Sequence, residues 1–373
     1  MNLNSQLETA ALVEQFSMIE DPRIERSKKY PLVNILVFSF VSILAGQESW
    51  YQMQIFCEET LEWFAEFLDI SSGVPSHDTF RRVFSLINPE DFEACIIRWL
   101  EELRKKRLSN QRVIALDGKS VRGLSWKINE EKLHILNAWD CSEQKFAGQL
   151  SIDCKANEIV AAPKLLKKLH LEKTIITVDA MMTQTEIASI IIERGGNYFM
   201  ALKGNQGSLF EDVELYFSEI ELGMSSSRTL EKNRGQVELR KGTKASADWI
   251  SQKARWKGLK YIFQVETEIY QDGKVKTDKR YYITSLDWEA SRLLKLSRDH
   301  WYIENQLHRT LDIHFQEDAC QEHDRNAAAN LSLLRKLGLS LLKQIEPKSK
   351  VIIKKKKVAY SPHFRRKCLL GEF

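Results

Sequence analysis

Apolar residues recur at helical spacing through roughly the first hundred positions and then switch to short β-type runs. Leu12, Phe16 and Ile19 open the helical part, and Asp21-Pro22-Arg23 breaks that first helix. Pro31 suits the opening turn of the next helix and Gly46 its stop. The run from Leu32 to Ala45 is the most apolar of the chain, yet it holds Asn34, Ser39 and Ser42. It is also shorter than the roughly 20 residues of a membrane span, so the pattern predicts a buried helix and no membrane. Tyr51 to Leu68 predicts a third helix. Ser71-Ser72-Gly73-Val74-Pro75-Ser76 predicts a loop, and a helix from His77 follows, capped by Ser76 or Asp78. Arg81 and Arg82 fall on its surface, where they either contact DNA or are simply solvated. A last helix from about Glu90 to Lys106 completes an N-terminal helical domain, residues 8–106.

Val113-Ile114-Ala115-Leu116 then reads as a buried strand that ends in Asp117, with Asp117-Gly118 as a turn. Further strands are predicted at 133–139, 145–152, 174–178 and 198–202. Helices are predicted at 158–169, at about 183–193 and, after a turn at Lys203-Gly204-Asn205-Gln206, to about Glu221. This order describes an α/β fold, a mixed sheet flanked by helices. A right-handed crossover through the 158–169 helix would lay the 174–178 strand parallel to the first. Asp117 and Asp179 would then stand side by side at one sheet edge. Residues 223–288 read as a β-rich insertion, with Gln271-Asp272-Gly273-Lys274 as a hairpin turn. Its basic residues either face phosphates or line a solvated strand face. From Trp288 a helical region closes a domain of residues 111–345. Residues 346–373 form a basic C-terminal tail with Lys354-Lys355-Lys356-Lys357 and Arg365-Arg366-Lys367, either a solvated tail or a phosphate-neutralising arm.

Composition adds bounds. With 43% hydrophobic and 28% charged residues the chain is of the globular class, and a net charge of +4 is too mild to argue for nucleic acid alone. The six cysteines are scattered without a Cys-x-x-Cys pair, which predicts buried, reduced thiols in a cytoplasmic protein. The N-terminus lacks a secretory pattern.

Two aspartates at neighbouring strand ends suit a hard divalent cation, and such a site needs a further carboxylate. His300, Glu304 and His308 fall at i, i+4 and i+8, on one helix face, with Glu304 central. Other chemistries lack their motifs: no Walker loop, dinucleotide fingerprint, zinc spacing or nucleophile elbow occurs.

Read together, these segments resemble the H-repeat-associated, Rhs-linked insertion-sequence transposases of the DDE superfamily. The resemblance covers nearly the full length. It rests on Asp21-Pro22-Arg23, Gly73-Val74-Pro75-Ser76-His77-Asp78-Thr79-Phe80, Leu116-Asp117-Gly118-Lys119-Ser120-Val121-Arg122-Gly123 and Val178-Asp179-Ala180-Met181. It also rests on Ala201-Leu202-Lys203-Gly204-Asn205-Gln206, His300-Trp301-Tyr302-Ile303-Glu304-Asn305 and Leu311-Asp312-Ile313-His314-Phe315. The resemblance implies a ribonuclease-H-like fold and a triad of Asp117, Asp179 and Glu304. It implies two Mg²⁺ or Mn²⁺ ions, with Asp117 bridging both. It implies cleavage and strand transfer of double-stranded DNA at element ends by a homo-oligomer. Arg122, Lys203 and Arg298 become candidate phosphate contacts, Lys119 a weaker one, and His300 either a phosphate or proton contact or a packing residue. Arg234-Gly235-Gln236-Val237-Glu238-Leu239-Arg240 stands where the family has His-Gly-Arg-x-Glu-x-Arg. That departure leaves a catalytically inactive DNA-binding relic as the alternative.

Overall fold

The computed structural model describes residues 12–105, 111–121, 133–152, 158–219, 225–233 and 236–370. Helices α1 (Leu32–Ala45), α2 (Trp50–Glu59), α3 (His77–Leu86) and α4 (Pro89–Lys105) make the N-terminal block. Every residue of α1 except Val33 is buried, so its apolar surface is used within the protein. Gly46 ends α1 at φ 91°, a conformation glycine adopts without a Cβ penalty. Ser49 and Gln52 form a capping box that starts α2. The single helix expected from Tyr51 to Leu68 instead stops at Thr60, whose hydroxyl donates to the Phe56 carbonyl at 2.6 Å. A separate turn, Leu61–Phe64, then carries Trp63 and Phe64 into the core. Ser76 caps α3, as expected.

Nine strands among the described residues form one sheet, in the order β3-β2-β1-β4-β5-β9-β8-β7-β6. They are β1 (Arg112–Val121), β2 (Leu133–Asp140), β3 (Lys145–Ile152), β4 (Thr174–Val178), β5 (Asn197–Leu202), β6 (Ser225–Asn233), β7 (Gln236–Ser246), β8 (Tyr261–Gln271) and β9 (Lys274–Thr284). The connecting helices α5 (Glu158–Lys168) and α6 (Thr185–Glu193) pack Leu165 and Ile187 with Ile114, Leu116, Ile176 and Val178 on one face. Further on come α7 (Gly207–Glu219), α8 (Ala290–Asp299), α9 (Arg309–Phe315) and α10 (Arg325–Gln344). On the other face Val113, Ala115, Ile175 and Phe199 join the core of the N-terminal block and α10. Period-two alternation along β1 thus feeds two cores at once.

β1 runs parallel to β4, from Arg112 beside Thr174 to Ala115 beside Thr177, as the crossover argument required. One expectation is corrected: Asp117-Gly118 is no turn. β1 continues to Val121, because residues 117–121 stay in an unbroken ladder with β2 from Asn137 to Leu133. Asp117 therefore sits within a strand. The β-rich insertion extends the same sheet. β9 pairs Tyr281 with Leu202 and Thr284 with Phe199 of β5, which makes the core and the insertion one continuous sheet. The hairpin between β8 and β9 does turn at Asp272 and Gly273, both at positive φ.

The basic C-terminal segment forms two packed helices, α11 (Val351–Tyr360) and α12 (Pro362–Leu370). Lys354 donates to the Leu342 carbonyl at 2.6 Å, and Lys355 bonds Glu48 at 2.9 Å. Arg365 donates to the carbonyls of Val358 and Ala359 and lies over the Trp63 ring at 4.7 Å. Helix-end carbonyls and ring faces attract cations. Val358, Phe364, Cys368 and Leu369 supply the buried apolar side. Cys57, Cys95, Cys141, Cys320 and Cys368 are all buried, and Cys154 lies outside the described residues.

Candidate active site

Asp117 and Asp179 each lie two residues beyond the last β1–β4 pair, Ala115 and Thr177. Strand alternation puts both on the face of α8. The Asp179 loop is tied down by several bonds. Its Oδ1 accepts from the Met182 N–H at 2.9 Å, and the Thr183 hydroxyl donates to the Asp179 carbonyl at 2.9 Å. The Lys203-Gly204-Asn205-Gln206 segment braces the same loop: Asn205 donates to the Ala180 carbonyl at 2.7 Å and Gln206 to the Thr183 carbonyl at 2.6 Å. Lys203 itself is exposed at the end of β5.

The third acid sits in an unusual element. After α8 the chain winds as a π-helix over Ile303–His308 before continuing into α9. Such wide turns are rare and recur at functional sites. The face predicted from sequence does meet the sheet. His300 Nδ1 lies 3.0 Å from Thr177 Oγ1 on β4, and His308 Nδ1 lies 3.4 Å from Asp117 Oδ2 on β1. The side chain of Asn137 approaches His308 Nε2 at 3.5 Å, an amide that can donate there and leave the ring proton facing Asp117. Glu304 lies between the two histidines in sequence and is exposed.

Burial first, then the charges of Asp179 and Glu304, push the Asp117 carboxyl up to about 7. Asp117 thus feels two acids from distant stretches of chain. Burial lowers His300 to about 4 and His308 to about 3, so neither ring offers a compensating charge near neutral pH. Burial also raises Glu304, partly offset by the Arg280 guanidinium. Among the described residues, no group of three His, Cys, Asp or Glu side chains stands close enough to hold a metal ion. The donor chemistry nonetheless fits a hard cation. The three acids are all oxygen donors, and the charges of Asp179 and Glu304 are both felt at Asp117.

The other expected contacts divide. Lys119 is committed to a buried cluster, bonding Glu317 at 2.7 Å and also Asp312, so it is not a free phosphate ligand. The neighbouring cations hold the Glu317 carboxyl down to about 2 against its burial. Arg298 pairs with Glu231 of β6, and Arg81 and Arg82 are exposed on α3. Arg122 lies outside the described residues. A cleft of about 560 Å³ opens beside the π-helix, lined by Arg240, Arg280, Arg298, Trp301 and Tyr302. The Arg280 guanidinium lies 4.7 Å over the Trp301 ring. Sequence reading missed this cleft, because its walls come from β7, β8, β9 and α8 and no local pattern joins them. It also missed the contact of His308 with Asp117, although the shared helix face was visible.

A mixed sheet with two aspartates just past the end of its central parallel ladder, flanked by helices, defines an α/β protein with an acidic edge site. Comparison with known proteins supplies the family. Residues 108–341 match the transposase DDE domain, and residues 13–100 match the domain associated with it. The chain belongs to this transposase family. YncI of Escherichia coli O157:H7, which carries a transposase name, is 34% identical over 94% of this chain and 92% of its own. YhhI of Escherichia coli K12, whose name places it with the H repeat-associated transposases, is 33% identical over 90% of this chain and 91% of its own. The piggyBac transposase synaptic complex with hairpin DNA, solved by cryo-EM, covers 97% of this chain and 81% of its own at a TM-score of 0.41 and 9% identity, a likeness too slight to build on.

Proposed function

We propose that this transposase is a metal-dependent enzyme that cleaves and joins double-stranded DNA at the ends of an insertion sequence. Its catalytic acids are Asp117, Asp179 and Glu304, on a ribonuclease-H-like core. The observation that carries the reading is the placement of Asp117 and Asp179, each two residues beyond the last pair of the parallel β1–β4 ladder, with the charges of Asp179 and Glu304 both felt at Asp117. A half-buried carboxylate that feels two neighbouring acids is kept at a cost, and such sites are commonly functional. The three carboxylates would hold Mg²⁺ or Mn²⁺. When bound, two such ions steady the attacking and leaving oxygens of a phosphodiester.

The chain's own residues do the remaining work. Neutral His308 holds the Asp117 carboxyl without cancelling its charge, and neutral His300 anchors the π-helix to β4 through Thr177. The braced loop after β4 fixes Asp179. Exposed Lys203 suits the phosphates of a strand entering beside Glu304. Arg240, Arg280 and Arg298 of the cleft pair with Glu238, Asp278 and Glu231, and would have to exchange those acids for phosphates. Because Glu304 is exposed, completing the triad requires it to move toward the aspartates. Function on paired ends by more than one copy of the chain belongs to the same proposal.

The test is cleavage of DNA carrying the element's own terminal inverted repeats with Mg²⁺ or Mn²⁺, comparing wild type with D117A and E304A. Nicking at the repeat ends by wild type alone is expected, with DNA binding kept in both variants. Activity retained in D117A would remove the site assignment. The exposed Glu304 also supports a second reading, a binding relic; specific binding without cleavage by any of the three proteins would establish it.

A further inference from the structure

β1 is held unevenly around Asp117. Its ladder with β2 runs on to Val121 beside Leu133, while its ladder with β4 stops at Ala115 beside Thr177. Among the described residues, 116–121 are therefore an overhang with a partner strand on one side only. Side chains grip it from both faces. On the Asp117 face, Lys119 reaches Glu317 at 2.7 Å and Asp312 as well. On the opposite face, Ser120 Oγ and His134 Nδ1 lie 2.8 Å apart, and His134 Nε2 lies 2.6 Å from Glu158 Oε1. His134 and Glu158 are each only 2% exposed. The pair lies directly over the strand: a Cβ on Gly118 would come within 2.1 Å of Glu158 Oε1 and 2.5 Å of His134 Nε2. Glycine is required there for space, since the backbone is ordinary extended strand.

Nothing in the proposed chemistry uses this chain of three polar side chains. As a stabiliser it is a poor choice, because a buried carboxylate with its partner contributes little more than an apolar replacement would. It also lies near enough to Asp117 for its charge to be felt there. What it can do is fix backbone. Ser120 and Gly118 flank Lys119 on the overhang, and both meet the pair formed by β2 and the first turn of α5.

We propose that Glu158, acting through His134 and Ser120, is a positioning residue that clamps the β1 overhang and sets the direction in which Asp117 leaves the strand. This role rests on the transposase reading above. Loss of the clamp lets the overhang shift, and a displacement of about 1 Å at a reacting site costs on the order of 100-fold in rate.

The experiment compares E158A, E158Q, G118A and the double variant G118A/E158A. It reads kcat and KM for cleavage, the melting temperature, and amide hydrogen exchange over residues 116–121. E158A is expected to lower kcat by about 100-fold with KM for DNA nearly unchanged. That loss persists at temperatures well below its melting point, which falls because His134 is left buried without its partner. E158Q keeps an acceptor for His134 and is expected to recover most of that loss. G118A drives its Cβ into the pair and is expected to behave like E158A. The double variant is expected to cost little more than either single change, since the clamp is already gone. Faster exchange confined to residues 116–121 is expected in E158A and G118A. That readout stands even if the wild type does not cleave DNA, so the clamp and the transposase reading fail separately. Wild-type exchange in E158A would overturn the clamp, as would equal losses in E158A and E158Q or a kcat loss that only follows melting temperature. If E158A does not fold, S120A cuts the other end of the chain. The same local exchange is then expected, and wild-type exchange in S120A would overturn the proposal.

Discussion

Asp117 carries a charge that its surroundings oppose. Its carboxyl titrates at about 7 in the folded chain, against the ordinary 3.8, with burial as the first cause and neighbouring acids next. A carboxyl raised on folding favours the native state while it is protonated. That advantage is complete below about pH 4 and is lost as pH rises through about 7. Above pH 7 the metal-free protein therefore bears the penalty of an ionised Asp117. D117N should remove it. The variant should melt higher than wild type at pH 8 in EDTA, by a stability gain on the order of 2–4 kcal/mol, with little difference at pH 4. Equal melting temperatures at pH 8 would mean that Asp117 is better solvated or better paired than its position implies. Glu317 shows the opposite arrangement. Lys119 and its neighbours hold its carboxyl down to about 2, so its contribution is present at neutral pH and is lost only in strong acid. Half-buried Asp117 and buried Glu317, on one side of the sheet, thus differ in whether a cation is supplied from within.

The elements show how the chain uses residues whose local preference points elsewhere. Asp-Gly favours a turn, yet eight residues of β2, Leu133–Asp140, hold β1 straight through it. The basic run after Lys350 favours solvent, yet Lys354 and Lys355 are buried at 2% and 3% exposure. Both bond groups of other elements. Removing α11 and α12 should therefore act on the fold. A chain ending at Lys350 loses the buried Val358, Phe364, Cys368 and Leu369 and leaves Glu48 without Lys355. It should melt at least 10 °C lower or be recovered insoluble, since each large buried side chain contributes about 1.5–3 kcal/mol. An unchanged melting curve together with a weaker salt dependence of DNA binding would instead return the segment to the role of a phosphate-neutralising arm. The π-helix has no counterpart in local preference. Its register follows from two anchors, His300 on Thr177 and His308 on Asp117, that the intervening residues must span.

At the scale of the whole molecule, one continuous sheet joins the acids to the insertion, because β9 pairs with β5. The cleft of Arg240, Arg280 and Arg298 and the acidic edge are therefore parts of one framework rather than of two linked domains. The cleft also shares Trp301 and Tyr302 with the helix that continues into Glu304. Cation binding should be visible globally. Mg²⁺ or Mn²⁺ added at pH 7.5 should raise the melting temperature of wild type, as any ligand of the native state does, and should leave D117N nearly unmoved. A shift of equal size in both proteins would place the cation elsewhere.

Much of this was determined by the sequence alone. The periods of its apolar positions specified helices before residue 106 and strands after 111, and fixed the parallel placement of β1 and β4. Ordered motifs named the family. Asp117 and Asp179 were legible because a charge at the end of an apolar run stands out against it. Tertiary structure decided the rest. Whether Asp-Gly turns depends on a partner strand, and whether a lysine is solvated depends on a carbonyl supplied by a remote helix. Glu158 met Gly118, and Arg280 met Trp301, only when distant segments packed together. Local pattern encodes which face of an element is apolar; it does not encode what arrives to cover that face, and there the polar contacts of this molecule are made.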